Sequence, residues 1–274
     1  MKKLLTIAGS DCSGGAGIQA DLKTFSAYGV FGMSVIVSVV AENTARVISI
    51  QNITPEIISD QIDAIYEDIG TDAVKIGMLS DRDCMEAVAY KLKQYRPEHI
   101  VIDPVMYAKN GSPLMKQEAV GTLIRDILPL ADILTPNIPE AERITGITIE
   151  SIQDMEEAAK RIADQGVRHV LIKGGHSLGD EATDILYDGQ QMYYFTEKRI
   201  STLNTHGTGC TYSSAIAAGL ALSGNLQEAV KQAKAYVTTA IRHSLNLGSG
   251  PGPTHHFYDL YQHGLRQSDS TKLI

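Results

Sequence analysis

Short β-rich apolar runs alternate with helical periodicities almost from one end of this chain to the other. The runs cover 4–8, 34–41, 73–78, 99–105, 132–134 and 169–172, and their unbroken apolar character is that of strands buried on both faces. Between them, Thr54-Pro55 supplies a helix cap and a first-turn proline, after which Ile58, Ile62, Ile65 and Ile69 share one face. Met85, Val88 and Leu92 repeat the pattern, as do Val120, Leu123 and Ile127, and then Met155, Ala159 and Ile162. Such a βαβ series requires a mostly parallel sheet covered by helices on both faces, a three-layer α/β/α fold. Two further runs, 183–187 and 192–195, flank Asp188-Gly189 and predict a small antiparallel hairpin. Helices are expected over about 208–222 and 226–243.

At 274 residues with 43% apolar content, the chain is near the upper limit for one core, so residues 1–266 are expected to form one domain, followed by a polar tail, 267–274. No apolar run approaches the roughly 20 residues that span a bilayer. The opening Met1-Lys2-Lys3-Leu4-Leu5 leads into too short an apolar stretch for a signal peptide, so it reads as a first strand and the protein as cytoplasmic. A net charge of −8 argues against a nucleic-acid or anionic-membrane partner. Cys12, Cys84 and Cys210 form no Cys-x-x-Cys pair, so neither a disulfide framework nor a zinc site is indicated.

Ligands of open parallel sheets bind beyond the carboxyl ends of the strands, and the unusual sequence lies at those ends. Gly9-Ser10-Asp11-Cys12-Ser13-Gly14-Gly15-Ala16-Gly17 follows the first strand. It is neither a Walker A loop nor a dinucleotide turn. It is either a tight glycine turn or a loop that lets backbone approach a ligand. Asn204-Thr205-His206-Gly207-Thr208-Gly209-Cys210-Thr211 opens a small-residue helix. Its first N–H groups and dipole make an anion hole suited to a transferring phosphoryl group, and the same field would lower the Cys210 thiol toward thiolate. The alternative there is a helix cap beside a buried cysteine. In Thr135-Pro136-Asn137-Ile138-Pro139-Glu140, the polar pair either organises hydrated magnesium or caps a short helix. Asp103 ends a strand with a carboxylate that is structural or faces the site.

Gly175-His176-Ser177-Leu178-Gly179 satisfies the Gly-x-Ser-x-Gly hydrolase pattern, but it leads into the hairpin rather than a helix, which argues against a nucleophile elbow. His255-His256 lacks further ligands at zinc-like spacing and reads as a structured turn. Segments 107–114 and 174–182 are candidate lids.

At these residues the chain resembles the hydroxymethylpyrimidine/phosphomethylpyrimidine kinases of thiamine biosynthesis, of the ribokinase-like superfamily. The resemblance runs from about Leu4 to Phe257. It is carried by Thr6-Ile7-Ala8-Gly9-Ser10-Asp11, by Gly14-Gly15-Ala16-Gly17-Ile18-Gln19-Ala20-Asp21, by Lys75-Ile76-Gly77-Met78-Leu79, by Thr135-Pro136-Asn137-Ile138-Pro139-Glu140-Ala141, by Lys173-Gly174-Gly175-His176, by the 204–211 segment and by Gly252-Pro253-Thr254-His255-His256-Phe257. It implies ATP and Mg2+ as cofactors, a small-molecule substrate and a homodimer. It places substrate at Gly9, Asp21, Glu42, Met78 and Val105, with Asp21 holding the reacting hydroxyl. Asn137, Glu140, Lys173 and Thr208 would serve the nucleotide, Asp103 and Glu140 the metal through water, and Gly207, Thr208, Gly209 and Cys210 the transfer step. Glu42 departs from the glutamine frequent in that family, and pyridoxine kinases of the same cysteine branch are the alternative.

Overall fold

The structure, a computed structural model, describes residues 1–264 apart from 109, 110, 112, 177 and 178. Nine strands form one sheet in the order β3-β2-β1-β4-β5-β6-β7-β8-β9. They are β1 (Lys3–Gly9), β2 (Phe31–Glu42), β3 (Val47–Asn52), β4 (Ala73–Ile76), β5 (Ile100–Ile102), β6 (Ile133–Leu134), β7 (His169–Ile172), β8 (Glu181–Tyr187) and β9 (Met192–Lys198). The six strands from β2 to β7 are mutually parallel. The antiparallel parts are β3 on one edge and the β8–β9 hairpin on the other.

The parallel strands are apolar on both faces because both are covered. Leu5 and Ile7 pack into one cluster, with Ile58, Met85 and Met155 from α2 (Pro55–Asp68), α3 (Arg82–Tyr95) and α6 (Ile152–Ala163). Leu4, between the strand's two faces in sequence, joins the other cluster, with Phe25, Ile216 and Val237 from α1 (Gly17–Ala27), α7 (Thr208–Ser223) and α8 (Leu226–Arg242). The same split separates Val101 from Ile100 and Ile102, so the alternation of side chains across a strand feeds two cores.

Local chemistry starts the helices where the periodicity predicts them. The Thr54 side chain accepts from Ile57 N, Asp81 from Cys84 N, and Ser151 and Asp154 close a capping box. α7 is buried on nearly all sides, and its small residues let α8 approach: a Cβ at Gly219 would sit 3.0 Å from that of Ala229. The short helices are α4 (Val120–Thr122), α5 (Ile138–Thr145) and α9 (Tyr258–His263). Among the described residues no helix is long and apolar enough to cross a membrane.

Three expectations change. β3 was not anticipated. The strand expected over 99–105 narrows to Ile100–Ile102, and the helix through Val120, Leu123 and Ile127 is a mixed 3-10, α and π run ending near Pro129. The polar tail, 267–274, lies outside the described residues.

Phe25 has no exposed surface and packs within the cluster that joins α1 to α7. Phe25→Ala is expected to lower stability by about 3–5 kcal/mol, read from urea unfolding. A loss under about 1 kcal/mol would show that α1 and α7 are not held through this contact.

Candidate active site

The carboxyl ends of β1, β4, β5, β6 and β7 open on one side of the sheet, where the loops entering α1, α5 and α7 converge. Beneath them lies a network with no solvent contact. Lys75 on β4 donates to Asp21 on α1 at 2.9 Å, and both side chains are 0% exposed. Thr6 Oγ1 donates to the same Asp21 oxygen at 2.6 Å, and Ser214 Oγ on α7 donates to the other at 2.7 Å. Asp21, to which the resemblance assigns the reacting hydroxyl, thus serves protein donors on both oxygens, and its side chain has no exposed surface in this structure. Burial alone would lower the Lys75 ammonium, but Asp21, Cys210 and Asp103 raise it far above its ordinary range, so it stays charged.

Cys210 stands above this lysine, in the first turn of α7. Burial pushes its thiol up to about 11; Lys75 and the Gly17 N–H oppose that, while Asp21 and Asp103 add to it. The expected resting thiolate is therefore corrected. Burial, together with the Asp21 and Asp103 charges, favours the neutral thiol.

Gly207 precedes α7 with φ +76°, and a Cβ there would overlap the Gly15 carbonyl oxygen. Only glycine fits, on both backbone and steric grounds. The first helical bond of α7 runs from Thr211 N to Gly207 O at 2.9 Å, which leaves the amides of 208–210 ahead of the ladder. Thr208 bends both its N–H and its hydroxyl onto Thr205 O, at 3.3 and 2.8 Å. The hole thus narrows to Gly209 and Cys210, and Thr208 shapes the turn rather than facing an anion.

Beside the hole, Lys173 at the end of β7 donates to Asp103 Oδ1 at 2.6 Å, and Thr135 Oγ1 approaches the same oxygen at 3.4 Å. A Cβ on Gly209 would lie 3.2 Å from Asp103 Oδ2 and 3.5 Å from Lys173 Nζ, so this pair borders the hole. Burial would lower Lys173, but Asp103 and Glu140 raise it. Asn137 and Glu140 form a reciprocal capping box on α5, with Asn137 N to Glu140 Oε2 at 2.8 Å and Glu140 N to Asn137 Oδ1 at 2.9 Å. The capping alternative is realised, and the same box fixes the Glu140 carboxylate next to Lys173. Burial raises that carboxyl, with Lys173 opposing and Asp103 adding.

On the other side of the hole, Gly9 lies against Met78: a Cβ on Gly9 would be 2.5 Å from Met78 Cε and 2.7 Å from Ser38 Oγ. Ser38 is fully buried, and its hydroxyl has no partner among the described residues. Val105 is half-buried just past Asp103, whose carbonyl accepts its N–H at 2.8 Å. Glu42 ends β2 half-buried, within 4.8 Å of Asp11 and His206. Burial pushes its carboxyl up to about 7; the Asp11 charge adds to this and His206 offsets part of it.

Asp11, His206, Lys75, Thr6 and Ser214 received no role from sequence. Lys75 carried the one available signal, a charge inside an otherwise apolar strand, which demands a buried partner. Of the hydrolase motif, Ser177 and Leu178 lie outside the described residues, and the chain enters strand β8, not a helix. The candidate lids each include undescribed positions. His256 is buried, its Nε2 3.0 Å from Thr211 Oγ1, so the His255-His256 turn is structural. A cavity of about 490 Å3 between β3 and residues 106–107 and 113–116 shares none of these site residues.

Two outcomes are expected. Lys75→Met leaves Asp21 buried without its cation and should cost about 3–5 kcal/mol in urea unfolding. Adding Asp21→Asn should recover part of this; no recovery would place the loss in packing rather than charge. Glu42 binds its proton more tightly folded than unfolded, so its contribution to stability falls as pH rises from the ordinary carboxylate range to about 7. Glu42→Gln should therefore raise Tm more at pH 8 than at pH 4.5, and a pH-independent difference would contradict the assignment.

The family model described as phosphomethylpyrimidine kinase matches residues 11–255. The hydroxymethylpyrimidine/phosphomethylpyrimidine kinase of Bacillus subtilis is 46% identical, across 93% of this chain and 94% of its own length. The thiamine biosynthesis bifunctional protein ThiED of Geobacter sulfurreducens is 49% identical over 92% of this chain, which spans 52% of that longer protein. Among solved structures, phosphomethylpyrimidine kinase from Clostridium difficile 630 is similar with a TM-score of 0.80 at 47% identity, covering 88% of this chain and all of that one. A pyridoxal kinase of Bacillus subtilis, solved as an ADP complex, gives 0.88 at 40% identity, covering 94% and 98%. The amides at the start of α7 between the buried Lys75 and the part-buried Lys173, in a sheet of this topology, and a match across nearly the whole length agree: the chain belongs to the phosphomethylpyrimidine kinase family.

Proposed function

We propose that the protein uses ATP to phosphorylate 4-amino-5-hydroxymethyl-2-methylpyrimidine, and then its monophosphate to the diphosphate, in cytoplasmic thiamine biosynthesis. The observation that carries this reading is the unladdered Gly209 and Cys210 amides, set between the buried Lys75 and the half-buried Lys173. Phosphoryl transfer asks a protein chiefly for positioning and charge stabilisation, and that is what these groups supply. The alcohol oxygen bonds to the γ-phosphorus, the bond to the bridging oxygen breaks, and ADP departs. The pyrimidine relatives, at 43–49% identity, favour this substrate over pyridoxal, whose kinases here are 34–40% identical.

Gly9, Met78 and Val105 would bound the ring, and Glu42 would meet its amino edge. Near pH 7 Glu42 stands between acid and carboxylate, and the acid offers one donor and one acceptor, as a glutamine amide does. Asn137 and Lys173 would meet the nucleotide. Asp103 and Glu140 fit a hydrated Mg2+: both are buried carboxylates beside Lys173, and such an ion keeps several waters. The ion would neutralise phosphate charge. A homodimer is part of the same proposal.

Cys210 can take the alcohol proton only after losing its own. ATP consumption is measured with hydroxymethylpyrimidine, its monophosphate and pyridoxine, with products identified by mass. Turnover of both pyrimidines to the diphosphate is expected, and preference for pyridoxine would move the protein to vitamin B6 salvage. With the thiol held up to about 11, kcat should climb between pH 6 and 9. Cys210→Ala should flatten that climb and lower kcat about 10²-fold while leaving residual activity. Unchanged kcat would remove Cys210 as the base.

A further inference from the structure

Two residues outside every role assigned above join the loops of the site. Asp11 in the β1–α1 loop is 1% exposed. Its Oδ1 accepts from Ser13 N at 2.7 Å, and its Oδ2 accepts from Gly15 N at 3.0 Å and Ala16 N at 2.7 Å. The fourth partner is 195 residues away: His206 Nε2, 2.9 Å from Oδ2. Burial would raise the Asp11 carboxyl, but hydrogen bonds from His206, Ser13 and Ala16 hold it well below the usual range. An ionised carboxylate only accepts, so Nε2 carries the hydrogen. The His206 ring lies against Gly15, where any Cβ would overlap Cδ2. Its main chain is clamped as well, His206 N to Gly252 O at 3.1 Å and Thr254 N to His206 O at 3.3 Å.

His206 is followed directly by Gly207, whose Cα packs on the Gly15 carbonyl at the same junction. One carboxylate therefore fixes the backbone of the loop behind Gly9 and, through the imidazole, the residue from which the anion hole springs. We infer that Asp11 and His206 are a positioning pair that sets the Gly209–Cys210 amides at their working distance from the substrate loop. The pair touches no reacting atom. It acts on the transfer step through the geometry of the hole, and a misplacement of about 1 Å in such a site lowers turnover about 10²-fold.

The inference rests on the proposed kinase function for the assay substrate alone. His206→Ala, His206→Gln and Asp11→Asn are compared with wild type for kcat, for KM of both substrates and for calorimetric binding of the MgATP analogue AMP-PCP. Circular dichroism melts confirm that each variant is folded. His206→Ala and Asp11→Asn are expected to lose about 10²-fold in kcat, with both KM values and analogue affinity changed less than about threefold. Glutamine can present an amide N–H where Nε2–H stands, so His206→Gln should recover about tenfold of that loss. A His206→Ala enzyme with wild-type kcat would overturn the inference, as would a loss confined to KM or a glutamine variant no better than alanine. Amide hydrogen exchange at Gly15 and Ala16 is read on the same proteins without substrate. Faster exchange in Asp11→Asn and His206→Ala supports the pair even if the alcohol proves to be pyridoxine, and unchanged protection overturns it.

Discussion

Lys75 and Asp21 face each other at 2.9 Å with neither side chain reaching solvent. Charges so buried are stable only when fully satisfied, and here the satisfaction is distributed: Thr6 comes from β1, Lys75 from β4, Asp21 from α1 and Ser214 from α7. Four elements must reach their native positions before the pair is closed. Once it is closed, the starts of α1 and α7 are fixed against the strand ends, and the amides of Gly209 and Cys210 have a defined place to point. The network is thus a foundation for the site rather than a part of its surface.

That foundation also sets the electrostatics above it. Cys210 lies in the field of Lys75 and of the carboxylates Asp21 and Asp103, with Lys173 also within its reach, and burial favours the neutral thiol. Lys173 is held by Asp103 and senses Glu140, so its charge is largely spoken for. In the proposed function, phosphate would be drawn mainly by backbone amides and the helix dipole, while the lysines would keep the surrounding carboxylates from repelling it. A negative net charge on the whole chain is compatible with this because these donors act at contact distance, inside a Debye length of about 8 Å.

Much of the fold was legible because parallel strands and their covering helices have strong, distinct periods. β3 was not: Ile48 is 62% exposed and Ile50 37%, so this edge strand buries little, and its pairing with β2 follows from a reversal at 43–46 that carries no turn dipeptide. The helix after residue 117 was misread as regular because Val120, Leu123 and Ile127 keep a helical spacing while the backbone changes pitch beneath them. In the candidate site, the residues at strand ends could be named by position. What sequence could not give was the direction of each side chain. Asp21 stands in a motif full of ligand-like residues, yet its oxygens turn inward to Lys75. Asn137 and Glu140 had two readings at one spacing, and only coordinates show that the cap bonds also hold the carboxylate toward Lys173.

The glycines at 15 and 207 explain why long-range polar partners were needed at all. The Gly207 Cα packs directly on the Gly15 carbonyl, which brings the β1–α1 loop against the start of α7 with no room for a side chain at either glycine. Packing normally transmits position through interdigitated side chains. Where close approach forbids side chains, directional hydrogen bonds must do it instead, and a carboxylate taking three amides and an imidazole offers four directions from one residue. Glu42 marks the limit of that solution. It stands within reach of both Asp11 and His206 but has no share of their donors, so the lower-lying Asp11 keeps its charge and Glu42 holds its proton near neutrality. The same crowding leaves one half-buried group, beside Asp11 and His206, able to present either a donor or an acceptor.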